Sequence, residues 1–152
     1  MTRASRRAAE AAARTGIEAA RAAVDEPAPA RGGAGTADPL IGDLRRAGLL
    51  PLLVLHFASA APAYGNQLIE RIAELTGGAL NVNPNTMYPL LRSLEAQGLV
   101  AGEWEHPERR SRRFYRVTEA GEAERRRLVS ELGPRLDRIV TSIEAMREEL
   151  GA

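Results

Sequence analysis

From residue 49 onward, apolar positions first recur with a helical period and then with a period of two. Leu49–Ser59 reads as a buried first helix, with Leu50, Leu53, Val54 and Phe57 turned to the core and Pro62 closing it. Tyr64–Leu75 reads as a second, with Leu68, Ile69, Ile72 and Leu75 on one face. Thr76-Gly77-Gly78 ends it, since glycine suits the backbone just past a last helical turn. Asn83-Pro84 opens a third helix: asparagine caps free N–H groups, and proline is tolerated at the first helical position. Met87, Leu90, Leu91 and Leu94 then form a clean stripe, and Gln97-Gly98 stops the helix. Pro89 lies inside it and predicts a tight or bent first turn.

After Leu99 the alternation is that of strands. Val100, Gly102 and Trp104 alternate with Ala101, Glu103 and Glu105, and Tyr115 and Val117 alternate with Phe114 and Arg116. His106–Ser111, with a proline and polar residues, makes the turn of a hairpin. Thr118 caps a further helix that runs to Leu132, Gly133-Pro134 is expected to break or kink it, and Arg135–Leu150 continues as a final amphipathic helix. Three helices, a hairpin and a helical C-terminus give a mainly α fold with a small β-hairpin. The architecture is a winged helix-turn-helix followed by C-terminal dimerisation helices.

Composition sets the boundaries. Residues 2–24 are almost entirely Ala, Arg and Glu, which favours helix but offers little to bury, and 25–38 are rich in Pro, Gly and Ala. The expected division is therefore a mobile or conditionally helical extension and linker (1–38), a winged-helix domain (39–118) and a helical dimerisation region (119–152). The chain has no cysteine, which excludes disulfides and thiolate chemistry. Its longest apolar run, Leu49–Ala61, is interrupted by Pro51 and His56 and falls short of the roughly 20 residues of a membrane span. The N-terminus has no apolar run behind its basic residues, so the expected compartment is the cytoplasm.

Net charge is only +1, so any case for a nucleic-acid partner rests on where the charges sit. Every basic residue is arginine, a side chain that forks onto phosphate and guanine, although coding bias explains the missing lysine as well. Subtracting the apolar stripe from the third helix leaves Asn85, Thr86, Tyr88, Arg92 and Ser93 near its N-terminal half. These are residue types that bond base edges and phosphates, and in helix-turn-helix docking that half of the helix lies against DNA. Arg109, Arg110, Arg112, Arg113 and Arg116 crowd the hairpin. They either meet DNA backbone or pair across the strands with Glu103, Glu105 and Glu108.

The C-terminal stripe of Leu128, Leu132, Leu136, Ile139, Val140, Ile143, Met146 and Leu150 exceeds what one small core buries. It calls for a second copy across a two-fold axis, with Leu132, Leu136, Ile139, Val140, Ile143, Met146 and Leu150 as the interface. Folding back on the core is the alternative. His56 and His106 lie in unlike settings with no triad or metal-shell pattern, so neither an enzyme nor a cofactor is expected.

Residues from about 49 to 121 resemble the PadR-like family of bacterial winged-helix transcription regulators, through YGNQLIERIAELTGG, NPNTMYPLLRSLEAQGLV and RRFYRVTEAG. The combination of Thr86, Tyr88, Pro89 and Leu90 with Leu94-Glu95, Gly98-Leu99 and the exit Tyr115–Gly121 carries the resemblance. It implies a homodimer that represses transcription, often of its own operon, on a palindromic duplex, and is released by a small molecule or stress signal. It also implies that Tyr64, Asn85, Thr86, Tyr88, Arg92 and the hairpin arginines face DNA, and that the short helical C-terminus is that of the smaller subgroup. The 38-residue extension and Gly133-Pro134 depart from the family pattern. A winged-helix module that binds protein instead of DNA is the alternative function.

Overall fold

The computed structural model describes residues 39–109 and 111–152, so the expectations for 1–38 and for Arg110 lie outside the described residues. In chain order the elements are α1 (Pro39–Arg46), α2 (Leu49–Ala60), β1 (Ala63–Tyr64), α3 (Gly65–Leu75), α4 (Pro84–Ala96), β2 (Val100–Trp104), β3 (Arg113–Val117) and α5 (Glu119–Leu150). Helices α2, α3, α4 and the first half of α5 enclose one core in which Leu50, Leu55, Leu68, Ile72, Met87, Leu91, Leu94, Leu99 and Leu128 are fully buried. Leu80 and Val82 are buried too, although they belong to the connection between α3 and α4. Thr76 holds that connection: its hydroxyl donates to the Ile72 carbonyl (2.8 Å) and accepts from the Leu80 N–H (3.1 Å).

The expected faces are largely those observed, with differences at their edges. In α2, Leu50 and Val54 are buried as the spacing requires, but so are Leu52 and Leu55, while Leu53 and Phe57 sit half-buried at the rim. A helix covered on several sides has no single stripe to read. Leu75 is exposed, because the last turn of α3 runs past the edge of the core. The additional helix α1 buries Leu44 alone, and two turns carry too few apolar residues to display a period.

The hairpin forms with Val100 opposite Val117 and Trp104 opposite Arg113. A third strand joins it: Ala63 and Tyr64 pair antiparallel with Tyr115 and Phe114, giving the order β1-β3-β2. Two residues cannot show an alternation, so the expected two-stranded hairpin is corrected to a three-stranded sheet.

Thr118 caps α5 as expected, its hydroxyl accepting from the Gly121 N–H at 3.1 Å. The break expected at Gly133-Pro134 does not occur, and α5 runs unbroken for 32 residues. Proline removes the N–H that would bond the Ser130 carbonyl, but Ser130 and Pro134 are both exposed, so water can serve the freed group. Leu128 and Leu132 pack into the main core, which therefore does not stop at residue 118. Leu132, at 2% exposure, has nothing left to bury against a partner and leaves the expected dimer set.

Candidate nucleic-acid interface

Helix α4 begins on a strong local signal. The Asn83 side chain accepts from the Thr86 N–H at 3.1 Å, and Pro84 takes the first helical position, where its missing N–H costs nothing. With Met87, Leu90, Leu91 and Leu94 turned inward, Asn85 and Arg92 stand exposed on the other side and Thr86 is half-buried. Arg92 makes no ion pair among the described residues. Tyr88 is less free than the sequence suggested. Its ring leans on Gly65 at the start of α3, where a Cβ would come within 2.8 Å, and its hydroxyl lies 3.5 Å from Asn66 Oδ1. Pro89 is exposed, and the helix continues through it.

The hairpin arginines divide by their partners. Arg112 lies over the Tyr64 ring at 4.2 Å, and Tyr64 stacks on Phe114 at 3.9 Å, so both faces of that tyrosine are covered. Burial raises the Tyr64 pKa, and its hydroxyl is bonded to Glu105. Desolvation pushes Glu105 upward, but hydrogen bonds from Arg112 and Tyr64 outweigh it and hold its pKa below the usual value. Arg116 faces Glu103 at 3.5 Å across the strands, and Arg112 faces Glu105 at 3.4 Å. The cross-strand pairing weighed as the alternative thus forms at these two positions. Exposed pairs of that length contribute little, so both guanidiniums remain available to a stronger anion. Glu108 faces His106 at 4.0 Å, and no arginine pairs with it among the described residues. Arg109, at the tip, is exposed. Arg113 is half-buried, and Glu95 near the end of α4 binds it.

Arg112, Arg113, Tyr64, Tyr88 and Arg92 line one cleft of about 700 Å³ between α4, the start of α3 and the sheet. Trp104, Glu95, Gln67 and Glu70 also line it; sequence reasoning did not single them out, because nothing local distinguishes them from solvated positions. Arg116 is not brought to this cleft. It lines a separate hollow with Pro62, Ala101, Glu103 and Phe114.

Residues 54–127 match the model of the family described as transcriptional regulator PadR-like. Over 84 residues the chain is 40% identical to "Transcriptional regulator Rv3488" of Mycobacterium tuberculosis, an alignment covering 53% of this chain and 76% of that protein. The chain belongs to the PadR-like family of transcriptional regulators. A PadR family transcriptional regulator from Eggerthella lenta shares its fold at a TM-score of 0.56 and 33% identity, over 70% of this chain and 90% of that one. A PadR-like transcription factor from Bacteroides fragilis does so at 0.52 and 28%, over 70% and 99%. PadR-like proteins are transcriptional regulators and not enzymes.

This PadR-like chain has a second surface of note. Beyond Leu132, helix α5 carries Leu136, Val140, Ile143, Met146 and Leu150 exposed, with Ile139 half-buried. Ile139, Ile143 and Met146 form a hollow of about 370 Å³ with Leu40 at the start of α1. Among the described residues, no helix is long and apolar enough to cross a membrane.

Proposed function

We propose that this chain is a homodimeric, sequence-specific DNA-binding regulator, acting as a repressor in the cytoplasm and released by a small-molecule or stress signal. The observation that carries the reading is Arg92 exposed and unpaired among the described residues on α4, one wall of a cleft whose opposite wall supplies Arg112. In a helix-turn-helix regulator that geometry lays the exposed side of α4 against base edges and the hairpin against the backbone. Membership of the PadR-like family makes duplex DNA the expected partner.

Within that reading the residues take different tasks. Arg92 forks onto a base edge, the Asn85 and Thr86 side chains at the helix start offer polar groups to base edges and phosphates, and Tyr88 borders both. Arg109 and Arg112 are phosphate anchors, Arg110 falls in the same run, and Arg116, which lines a separate hollow, is left out of the contact set. Tyr64, covered on both faces, supports Arg112 from beneath. The exposed stripe of α5 is the surface a second copy covers, and a two-fold axis there would set two reading helices on one face of a palindromic duplex.

The close Arg113–Glu95 pair, which leaves that arginine little charge for a phosphate, favours a second reading, a winged-helix module whose arginine tip meets an acidic protein partner. Titrating duplex DNA from upstream of the protein's own coding sequence separates the two. The regulator reading expects affinity to fall steeply as salt rises. It also expects Arg92→Ala to relax sequence preference and Arg112→Ala to weaken all sequences alike. Indifference to duplex DNA at low salt would leave the protein-binding reading standing.

A further inference from the structure

Glu95 lies in the last turn of α4 yet bonds both strands of the hairpin. Its two carboxylate oxygens accept from Arg113 Nη2 at 3.1 and 2.8 Å, and Oε2 also accepts from the Gly102 N–H at 2.6 Å. One contact fixes β3 and the other fixes β2. The Arg113 guanidinium lies 5.2 Å from the Trp104 ring centre and 5.7 Å from that of Tyr115, so the ion pair is walled by aromatic side chains. Glu95 and Arg113 are each about one-third exposed, at 33% and 31%. Gly102 completes the arrangement by its lack of a side chain. A Cβ there would collide with both the Arg113 guanidinium and the Glu95 carboxylate.

An acidic side chain lining a cleft that takes DNA is electrostatically unfavourable, and an arginine held by that acid has little charge left for a phosphate. Both facts are resolved if the pair acts on the protein instead of the ligand. The β2–β3 ladder holds the hairpin together by itself, but it does not set the angle between hairpin and α4. Glu95 belongs to α4 and grips each strand, so it adds a direct tie between them to the packing of Leu99, Val100 and Tyr115 in the core.

We propose that Glu95 and Arg113 are positioning residues that lock the hairpin against α4 for DNA binding, and that Arg113 is not a phosphate contact. The proposal rests on the DNA-binding reading above. Its decisive property is one of sign. Removing a negative charge beside DNA should strengthen binding if Glu95 is a bystander, and weaken it if Glu95 sets the geometry.

The test uses the full chain and the upstream duplex, with affinity measured across a salt series and Trp104 emission recorded without DNA. Trp104 is the sole tryptophan, so its emission reports the contact directly. Glu95→Gln is expected to weaken binding about tenfold, the lower range for loss of a charge-assisted bond, with the salt dependence unchanged. Arg113→Ala should do the same, the double variant should bind no worse than Arg113→Ala alone, and each should shift Trp104 emission. Arg112→Ala, the comparator, should flatten the salt slope by about 0.9, one phosphate's worth. Arg113→Lys keeps the charge and guards against a folding failure of the alanine variant; weakened binding at unchanged slope is expected of it too. Glu95→Gln binding as tightly as wild type or tighter, or Arg113→Ala flattening the slope like Arg112→Ala, overturns the proposal. Wild-type protein that ignores duplex DNA instead overturns the DNA-binding reading on which it rests.

Discussion

An arginine serves a binding surface either by meeting the ligand or by holding something else that does. The sequence showed five of them between positions 109 and 116 and could not sort them, because the sorting depends on partners elsewhere in the chain. Arg113 is held by Glu95, 18 positions away, and Arg116 is turned to the other side of the sheet by strand alternation. Asn83 was legible because its partner, the Thr86 N–H, is three residues on. Asn83→Ala should cost about 1 kcal/mol of stability in a denaturant titration, and no loss would deny the cap its role. Glu122 was not legible. It accepts from Arg125 and from the Ser59 hydroxyl (2.6 Å) on α2, and these bonds hold its pKa at about 2, below its ordinary 4.5. The unfolded chain therefore binds that proton more readily than the folded one. The associated stability is fully present above about pH 4.5 and is lost as pH falls towards 2. Glu122→Gln should flatten that acid limb in melting curves taken from pH 5 to 2, and an unaltered limb would remove Glu122 from the account.

Among elements, those with a local start, a local stop and a full stripe were readable: α3, α4 and the two long strands. Those missed lack one of these. Strand β1 has two residues and exists only because β3 offers it an edge. Gly133-Pro134 has the local mark of a break, but a helix anchored on one side by Leu128 and Leu132 in the core carries through it. Outside its own helix a Cβ at Gly133 meets nothing within 4 Å, so the neighbour that matters there is Pro134. Gly133→Ala should therefore gain less than the roughly 0.5–1 kcal/mol that helix propensity alone would give, because the Pro134 ring crowds the new Cβ. A thermal melt in which the variant gains the full propensity increment would show that Pro134 does not crowd that position.

At the largest scale, the described residues form a winged-helix unit with a helix that outruns its own core. Which apolar residues of α5 would remain outside that core could not be read from periodicity: Leu132 and Leu136 share the stripe, yet one is 2% exposed and the other 36%. The surplus beyond Leu132 is the basis for expecting two copies. Ile143→Glu should yield folded monomers by light scattering, and a wild-type chain already monomeric at micromolar concentration would contradict the dimer. Dimer and DNA surface meet in one measurement, the mass of the complex formed by the full chain with the duplex from upstream of its own coding sequence, at low salt and again at high salt. The account predicts two chains per duplex at low salt and free duplex at high salt. A single chain per duplex, or duplex that stays free at low salt, would contradict it.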